Sequence, residues 1–306
     1  MNTTRTLERI LHLPRRIVRE SIMFSQYLRY PLRNRFGNAP VTRPGGPVVS
    51  LTTYGKRSRK VHLTIESIAD GQALPSRLIL WIDDKSLFHN LPEPIRRLQK
   101  RGLEVKLCKN YGPHTKYYPY LESQETFDTP LVTADDDMFY PRFWLKRLVE
   151  AHQKFPELVN CYFSHAIEVD RMGFTKYSTW ELVDSTMPSI RHLAAGVAGV
   201  IYPPSFLTVL KQAGTAFEAC CPKGDDLWLH VQALRAGYKV RQVLPRLPYF
   251  WFHAVPGTQE TALCHENVDF GDGNGRQIKA TYNEEDIRML QRECGVLPSE
   301  ELELIS

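Results

Sequence analysis

Several absences narrow the reading of this 306-residue chain before any motif is considered. None of its six cysteines is spaced C-x-x-C, so no zinc ribbon is indicated; in a chain this long they read as thiols of a reducing compartment. No G-x-x-x-x-G-K-[ST] phosphate loop is present, and the N-terminus lacks an apolar stretch followed by a small-residue cleavage site. One uncharged run, His192 to Leu210, is long enough to raise the question of a membrane span. Gly196, Gly199, Pro203 and Pro204 break it, which suits a buried strand and a turn instead. There is no internal repeat and no low-complexity segment. With 42% hydrophobic and 24% charged residues, the composition is that of a globular protein with a sizeable core.

The charge is unevenly placed. Residues 1–36 hold eight arginines against two glutamates, +6 in all, which leaves −1 for the rest of a chain whose net charge is +5. The main domain is therefore not basic, and a nucleic-acid groove is not expected in it. Leu7, Ile10, Leu11, Ile17, Val18, Ile22 and Phe24 recur at roughly helical spacing, interrupted at Pro14. Such a basic amphipathic arm could lie on an anionic membrane surface or pack on the domain. The expected location is cytoplasmic, either free or at the inner face of a membrane.

From Pro47 onward strands and helices alternate. Pro47–Thr53, Arg77–Asp83, Leu103–Cys108 and Pro130–Ala134 read as buried strands, separated by helical patterns that end at Gly71 and Gly102. This order predicts an α/β fold with a mostly parallel sheet covered on both faces. Further strands are expected at Leu158–Phe163, Ala194–Tyr202 and Tyr238–Val243. Helices are expected at Asp225–Ala236 and at Asn283–Cys294, the last with Asn283 as N-cap. The division that follows is a basic arm and linker at 1–46, a main domain at 47–255 and a closing loop and helix at 256–306.

Ligands of such sheets bind beyond the carboxyl ends of the strands. The polar clusters at Tyr54–Lys60, Asp83-Asp84 and Asp135-Asp136-Asp137 all follow strands, so they converge on one edge. Three adjacent carboxylates stay ionised together only where a cation or donors offset their field. In extended backbone Asp135 and Asp137 face the same side, and carboxylate oxygens suit Mg²⁺ or Mn²⁺, which also bind phosphate oxygens. A solvated turn with one aspartate capping the next helix is the plainer alternative.

The order of these features resembles the GT-A-fold glycosyltransferases, especially the inverting family 2 type. The resemblance rests on Thr52-Thr53 with nearby Arg57, Asp83-Asp84, the D-x-D of Asp135 to Asp137, and Gly224-Asp225-Asp226 opening a helix. It implies a GT-A-like, Rossmann-type sheet and a nucleotide-diphosphate-sugar donor, UDP-sugar above others, with Mn²⁺ or Mg²⁺. Thr53, Arg57, Asp83, Asp84, Lys116, Asp135 and Asp136 would bind the donor; Asp137 and Asp135 would ligate the metal, with His253 completing its shell and His265 as the rival histidine. Asp226 is implied as the base, and Asp225 stands where the family has Glu, leaving open which of the two acts. Helix-end capping is the alternative for both, and the helix field would lower their pKa and weaken a base. Small residues at Ala195–Gly199 would let backbone approach a ligand closely. The expected partners are the donor and a glycan or lipid-linked acceptor. A metal-dependent nucleotidyltransferase and a non-catalytic glycan-binding protein are the rival readings.

Overall fold

The computed structural model describes residues 3–246, 251–259 and 273–297, the side chains from Arg19's neighbour Val18 onward. A long helix, α1 (Thr3–Phe36), opens the chain. Pro14 does not end it as expected; the missing N–H costs one hydrogen bond, and the helix continues past it. Then come β1 (Val48–Thr52), a 3-10 turn at Gly55–Arg59, α2 (Val61–Ala69), β2 (Arg77–Ile82), α3 (Lys85–His89), α4 (Glu93–Gln99) and β3 (Leu103–Leu107). A second 3-10 turn, Gly112–Lys116, leads into α5 (Tyr118–Glu122), β4 (Leu131–Thr133), β5 (Met138–Phe139) and α6 (Trp144–Lys154).

The second half has shorter pieces. These are β6 (Val159–Cys161), β7 (Ser164–Ala166), β8 (Val169–Asp170), β9 (Gly173–Phe174), β10 (His192–Ala194), β11 (Val200–Tyr202) and α7 (Pro204–Ala213). They are followed by α8 (Phe217–Cys220), α9 (Asp225–Arg235), β12 (Val240–Gln242), β13 (His253–Ala254), α10 (Gly273–Thr281) and α11 (Glu284–Glu293). Asn283 caps α11 with a full capping box: its side chain accepts from the Asp286 N–H, and Asp286 accepts from the Asn283 N–H.

Seven strands form the main sheet in the order β12-β6-β11-β4-β1-β2-β3. All neighbours pair in parallel except β11, which is antiparallel to both β4 and β6. Alternation along the strands divides the core in two. Val48, Ile79, Trp81 and Leu131 face one apolar cluster; Val49, Leu51, Leu78, Leu80 and Val132 face the other. Helix α2 covers one face beside α4, and α1 lies outside them.

The expected single strand across 194–202 is instead two strands joined by a 3-10 turn, Gly196–Ala198. Gly199 ends that turn at φ +91°, and a Cβ there would lie 2.6 Å from Trp144 Nε1, which donates to the Ala198 carbonyl. The indole takes the space a side chain would need, so the chain turns at Gly199 instead of running straight. No helix among the described residues is long and apolar enough to cross a membrane.

Candidate active site

The parallel strands β4, β1 and β2 end side by side, and Asp135, Thr53 and Asp83 follow their last residues. Asp135 is oriented from behind: its N–H donates to Tyr140 Oη at 2.8 Å. Asp136 points back into the fold, accepting from Thr53 Oγ1 at 2.6 Å and from Arg57 Nη1 at 3.0 Å. Arg57 Nη2 lies 3.0 Å from Asp137 Oδ2, so one guanidinium spans two of the three carboxylates. Gln259 Nε2 donates to the same Asp137 oxygen at 2.9 Å. Burial pushes the Asp136 carboxyl up against the pull of Arg57. Burial and the charge of Asp135 raise Asp137 to about 7.

Lys116 joins this cluster to α9. Its ammonium donates to Asp135 Oδ1 at 2.9 Å and lies 3.0 Å from Asp225 Oδ2 as an ion pair. The turn that carries it is held at three points. Ser50 Oγ on β1 donates to the Lys116 carbonyl at 2.7 Å, and Trp81 Nε1 donates to that hydroxyl at 2.9 Å. His114, fully buried, meets Tyr117 Oη and the Cys221 carbonyl, both at 2.8 Å, and stacks on Phe217 with ring centroids 3.9 Å apart. The turn is thus tied both to the sheet and to the loop that leads into α9.

Asp225 and Asp226 occupy the first turn of α9, and neither side chain caps the helix. Their environments differ sharply. Burial opposes ionisation of Asp225, but Lys116 and His114 outweigh it and hold the carboxyl below the ordinary aspartate range. Asp226 keeps some solvent access, and its Oδ1 accepts from the Gly196 N–H at 3.0 Å. A cavity lined by Val159, Phe206, Leu229 and Ala233 backs onto it. Desolvation and the neighbouring Asp225 charge raise its pKa well above the usual value. The expectation that the helix end would hold Asp226 down is reversed, because burial and a like charge outweigh the helix field.

Gly196 fits the close approach expected of the small-residue segment. A Cβ on it would lie 3.2 Å from both Asp226 Oδ1 and Lys116 Nζ, so the backbone reaches the carboxylate and not only a ligand.

The other expected residues fall differently. Asp84 caps α3, its Oδ1 accepting from Ser86 N–H at 2.7 Å and Leu87 N–H at 3.0 Å, which is the plainer role for it. Asp83 stands half-buried at the end of β2, its pKa raised chiefly by burial. His253 is not gathered with the trio. Antiparallel pairing of β13 with β5 sets it opposite Phe139, whose ring packs on Tyr30 of α1. Both imidazole nitrogens are buried without a partner, and burial together with Arg19 lowers its pKa to about 4. Cross-strand partners share a face, so the ring is turned toward α1. The same strand nonetheless serves the trio: the next residue but one, Val255, donates its N–H to the Asp137 carbonyl at 2.7 Å. His265, the alternative histidine, lies outside the described residues.

One residue at the site, Gln259, carried no signal in the sequence, and Tyr54 was marked only as the start of a polar cluster. Gln259 reaches Asp137 only because β13 folds back on β5. Tyr54 is 41% exposed beside Thr53, with the Arg57 guanidinium 5.5 Å from its ring centroid, an aromatic face at the mouth of the site.

No family model and no curated protein matches this sequence. Solved structures do match its fold. Mannosyltransferase PcManGT from Pyrobaculum calidifontis, in complex with GDP-Man and Mn²⁺, aligns over 92% of this chain and 80% of its own, with a TM-score of 0.50 and 13% identity. GalNAc-T7 with UDP, GalNAc and Mn²⁺ aligns over 65% of this chain at a TM-score of 0.44 and 15% identity; this chain spans 42% of that one. A 4-diphosphocytidyl-2C-methyl-D-erythritol synthase from Anaerococcus prevotii aligns over 71% of this chain and 93% of its own, with a TM-score of 0.46 and 10% identity. The mixed, mostly parallel seven-stranded sheet, with its acidic cluster at the carboxyl ends of the strands, has a GT-A-like α/β fold.

Proposed function

We propose that this chain is a glycosyltransferase that moves a sugar from a nucleotide-diphosphate donor, UDP-sugar above others, to an acceptor hydroxyl. The observation that carries the reading is the Lys116 bridge. It joins the D-x-D carboxylates and the Asp225-Asp226 pair in one cluster, and in this reading Asp226, whose pKa is raised, faces the acceptor.

In the proposed reaction the acceptor oxygen attacks the anomeric carbon as its proton passes to Asp226, with Oδ1 held by Gly196 and Oδ2 receiving the proton. The new carbon–oxygen bond forms as the bond to the β-phosphate oxygen breaks. That electron pair leaves with the nucleoside diphosphate, and the anomeric centre inverts. A raised pKa makes Asp226 a better proton acceptor than Asp225, which is neutralised by Lys116. Lys116 and Arg57 are the cations placed to meet the departing diphosphate.

The donor set also fits a divalent cation. Five carboxylates, Asp135, Asp136, Asp137, Asp225 and Asp226, face two cations, Arg57 and Lys116, and Asp137 is raised to about 7 by its burial and then by the charge of Asp135. Among the described residues no group of three or more His, Cys, Asp or Glu side chains is arranged to hold a metal ion. Mg²⁺-type sites need only one or two carboxylates, with substrate phosphates and water completing the shell. Asp137 and Asp135 would hold the ion, which would supply Lewis-acid charge to the leaving diphosphate. His253, turned toward α1, takes no part in this proposal. For the nucleoside, Asp83 and Tyr54 replace Asp84 as the residues of choice. The acceptor class proposed is a lipid-linked or growing surface glycan.

The test is a thermal-shift panel of UDP, GDP, dTDP and CMP, with and without Mn²⁺, on wild type and Asp137→Ala, followed by incubation with a labelled UDP-sugar. Metal-dependent stabilisation by one nucleotide, lost in the variant, together with release of free UDP, supports the reading. Release of pyrophosphate or transfer of UMP would identify a nucleotidyltransferase instead. Full biological activity of Asp226→Ala would identify a non-catalytic glycan-binding protein.

A further inference from the structure

Among the described residues the outward face of α1 has no partner, and it is built from the wrong residues for water. Met23, Gln26, Tyr30, Arg33 and Asn34 turn toward the domain, with Tyr30 and Asn34 buried. Asn34 and Arg33 bond Glu66, and Arg33 and Arg29 meet Asp70. On the opposite face, Phe24, Leu28, Leu32 and Phe36 follow one another at four-residue intervals, exposed by 62, 52, 58 and 73%. A helix that merely covers a soluble domain carries polar residues there.

We propose that this face docks on an anionic lipid bilayer, with the helix lying in the plane of the interface. The occupant follows from charge. The first 36 residues hold eight arginines against two glutamates, while the rest of the chain is near neutral, so the surplus is confined to the segment that bears the stripe. An apolar stripe beside surplus arginine matches acyl chains beneath acidic headgroups. No described helix can span a bilayer, which limits the association to the surface. The proposal does not depend on the reaction catalysed.

Co-sedimentation of the full chain with vesicles tests it. Neutral phosphatidylcholine vesicles are compared with mixed phosphatidylcholine–phosphatidylglycerol vesicles, at low and high salt. Binding to the anionic vesicles alone, weakened by salt, is expected. Phe24→Ser/Leu28→Ser/Leu32→Ser should weaken it by at least about tenfold, since each side chain loses its apolar burial. Arg15→Gln/Arg16→Gln/Arg19→Gln removes three of the eight arginines of this segment and should weaken it on the order of a hundredfold. Unchanged thermal midpoints in both variants would show that the fold survives. The proposal is overturned by absence of binding, by equal binding to neutral vesicles, or by wild-type affinity in both variants. Sedimentation of the free protein as a dimer that the serine variant dissociates, without vesicle binding, would assign the face to a second copy instead.

Discussion

Asp225 and Asp226 differ by one position and have opposite proton affinities, and most of the chemistry proposed turns on that difference. A general base must be ionised to act, so kcat/KM should rise with pH through the elevated Asp226 pKa. Asp226→Asn should lower kcat by roughly 10²–10⁴, while the nucleotide-dependent thermal shift is retained; a variant that keeps its rate would remove Asp226 from the mechanism. Stability should show the same group with a definite sign. A carboxyl whose folded pKa is raised contributes stability below its unfolded pKa and loses it as pH rises through the folded value. Asp226→Asn should therefore raise the thermal midpoint more at alkaline than at acidic pH. Lys116→Met tests the other side of the cluster. It would leave Asp135 and Asp225 without their shared cation in a largely buried site, a loss of about 3–5 kcal/mol at neutral pH. Part of that loss should be recovered in acid, where the carboxylates protonate, and urea unfolding at two pH values would measure it.

At the scale of elements, the 3-10 turn between β10 and β11 presents the Gly196 N–H to Asp226, and Trp144 of α6 shapes that turn. Gly199→Ala would place a methyl against the indole at a backbone angle that non-glycine residues rarely adopt. The expected destabilisation is about 1–3 kcal/mol, with activity reduced beyond what unfolding explains because Gly196 shifts with the turn. Measuring kcat well below the variant's own melting temperature separates the two effects. His114 acts similarly on the other wall. Its contacts with Tyr117 and Cys221 join the Lys116 turn to the loop before α9, so cation and base move as one unit.

At the scale of the whole molecule, two buried acids, Glu66 and Asp70, join the N-terminal helix to the core. Glu66 is fully buried and accepts from Arg101, Arg33 and Asn34, two of which belong to α1. Glu66→Ala would strand Arg101, itself 7% exposed, and should destabilise the protein by about 3–5 kcal/mol. It should also free α1, so limited trypsin digestion should cut at the arginines of residues 1–36 faster than in wild type.

The alternation of strands and helices, the carboxylates at strand ends and the Asp-Asp pair opening a helix were all legible in the chain, because periodicity and local spacing act over neighbouring residues. Tertiary structure alone decided which aspartate has the raised pKa and which the lowered one, since that depends on Lys116, more than a hundred positions earlier, and on the burial of Asp226. It also decided that His253 turns to α1, because strand faces alternate with every residue and the pairing of β13 with β5 fixes that register. Asp84 was shown to cap α3, its Oδ1 accepting from two backbone amides of that helix. Gln259 reached Asp137 only when the chain folded back from 122 residues away. Local order is written in adjacent residues; charge, burial and register are properties of residues that meet only in the folded molecule.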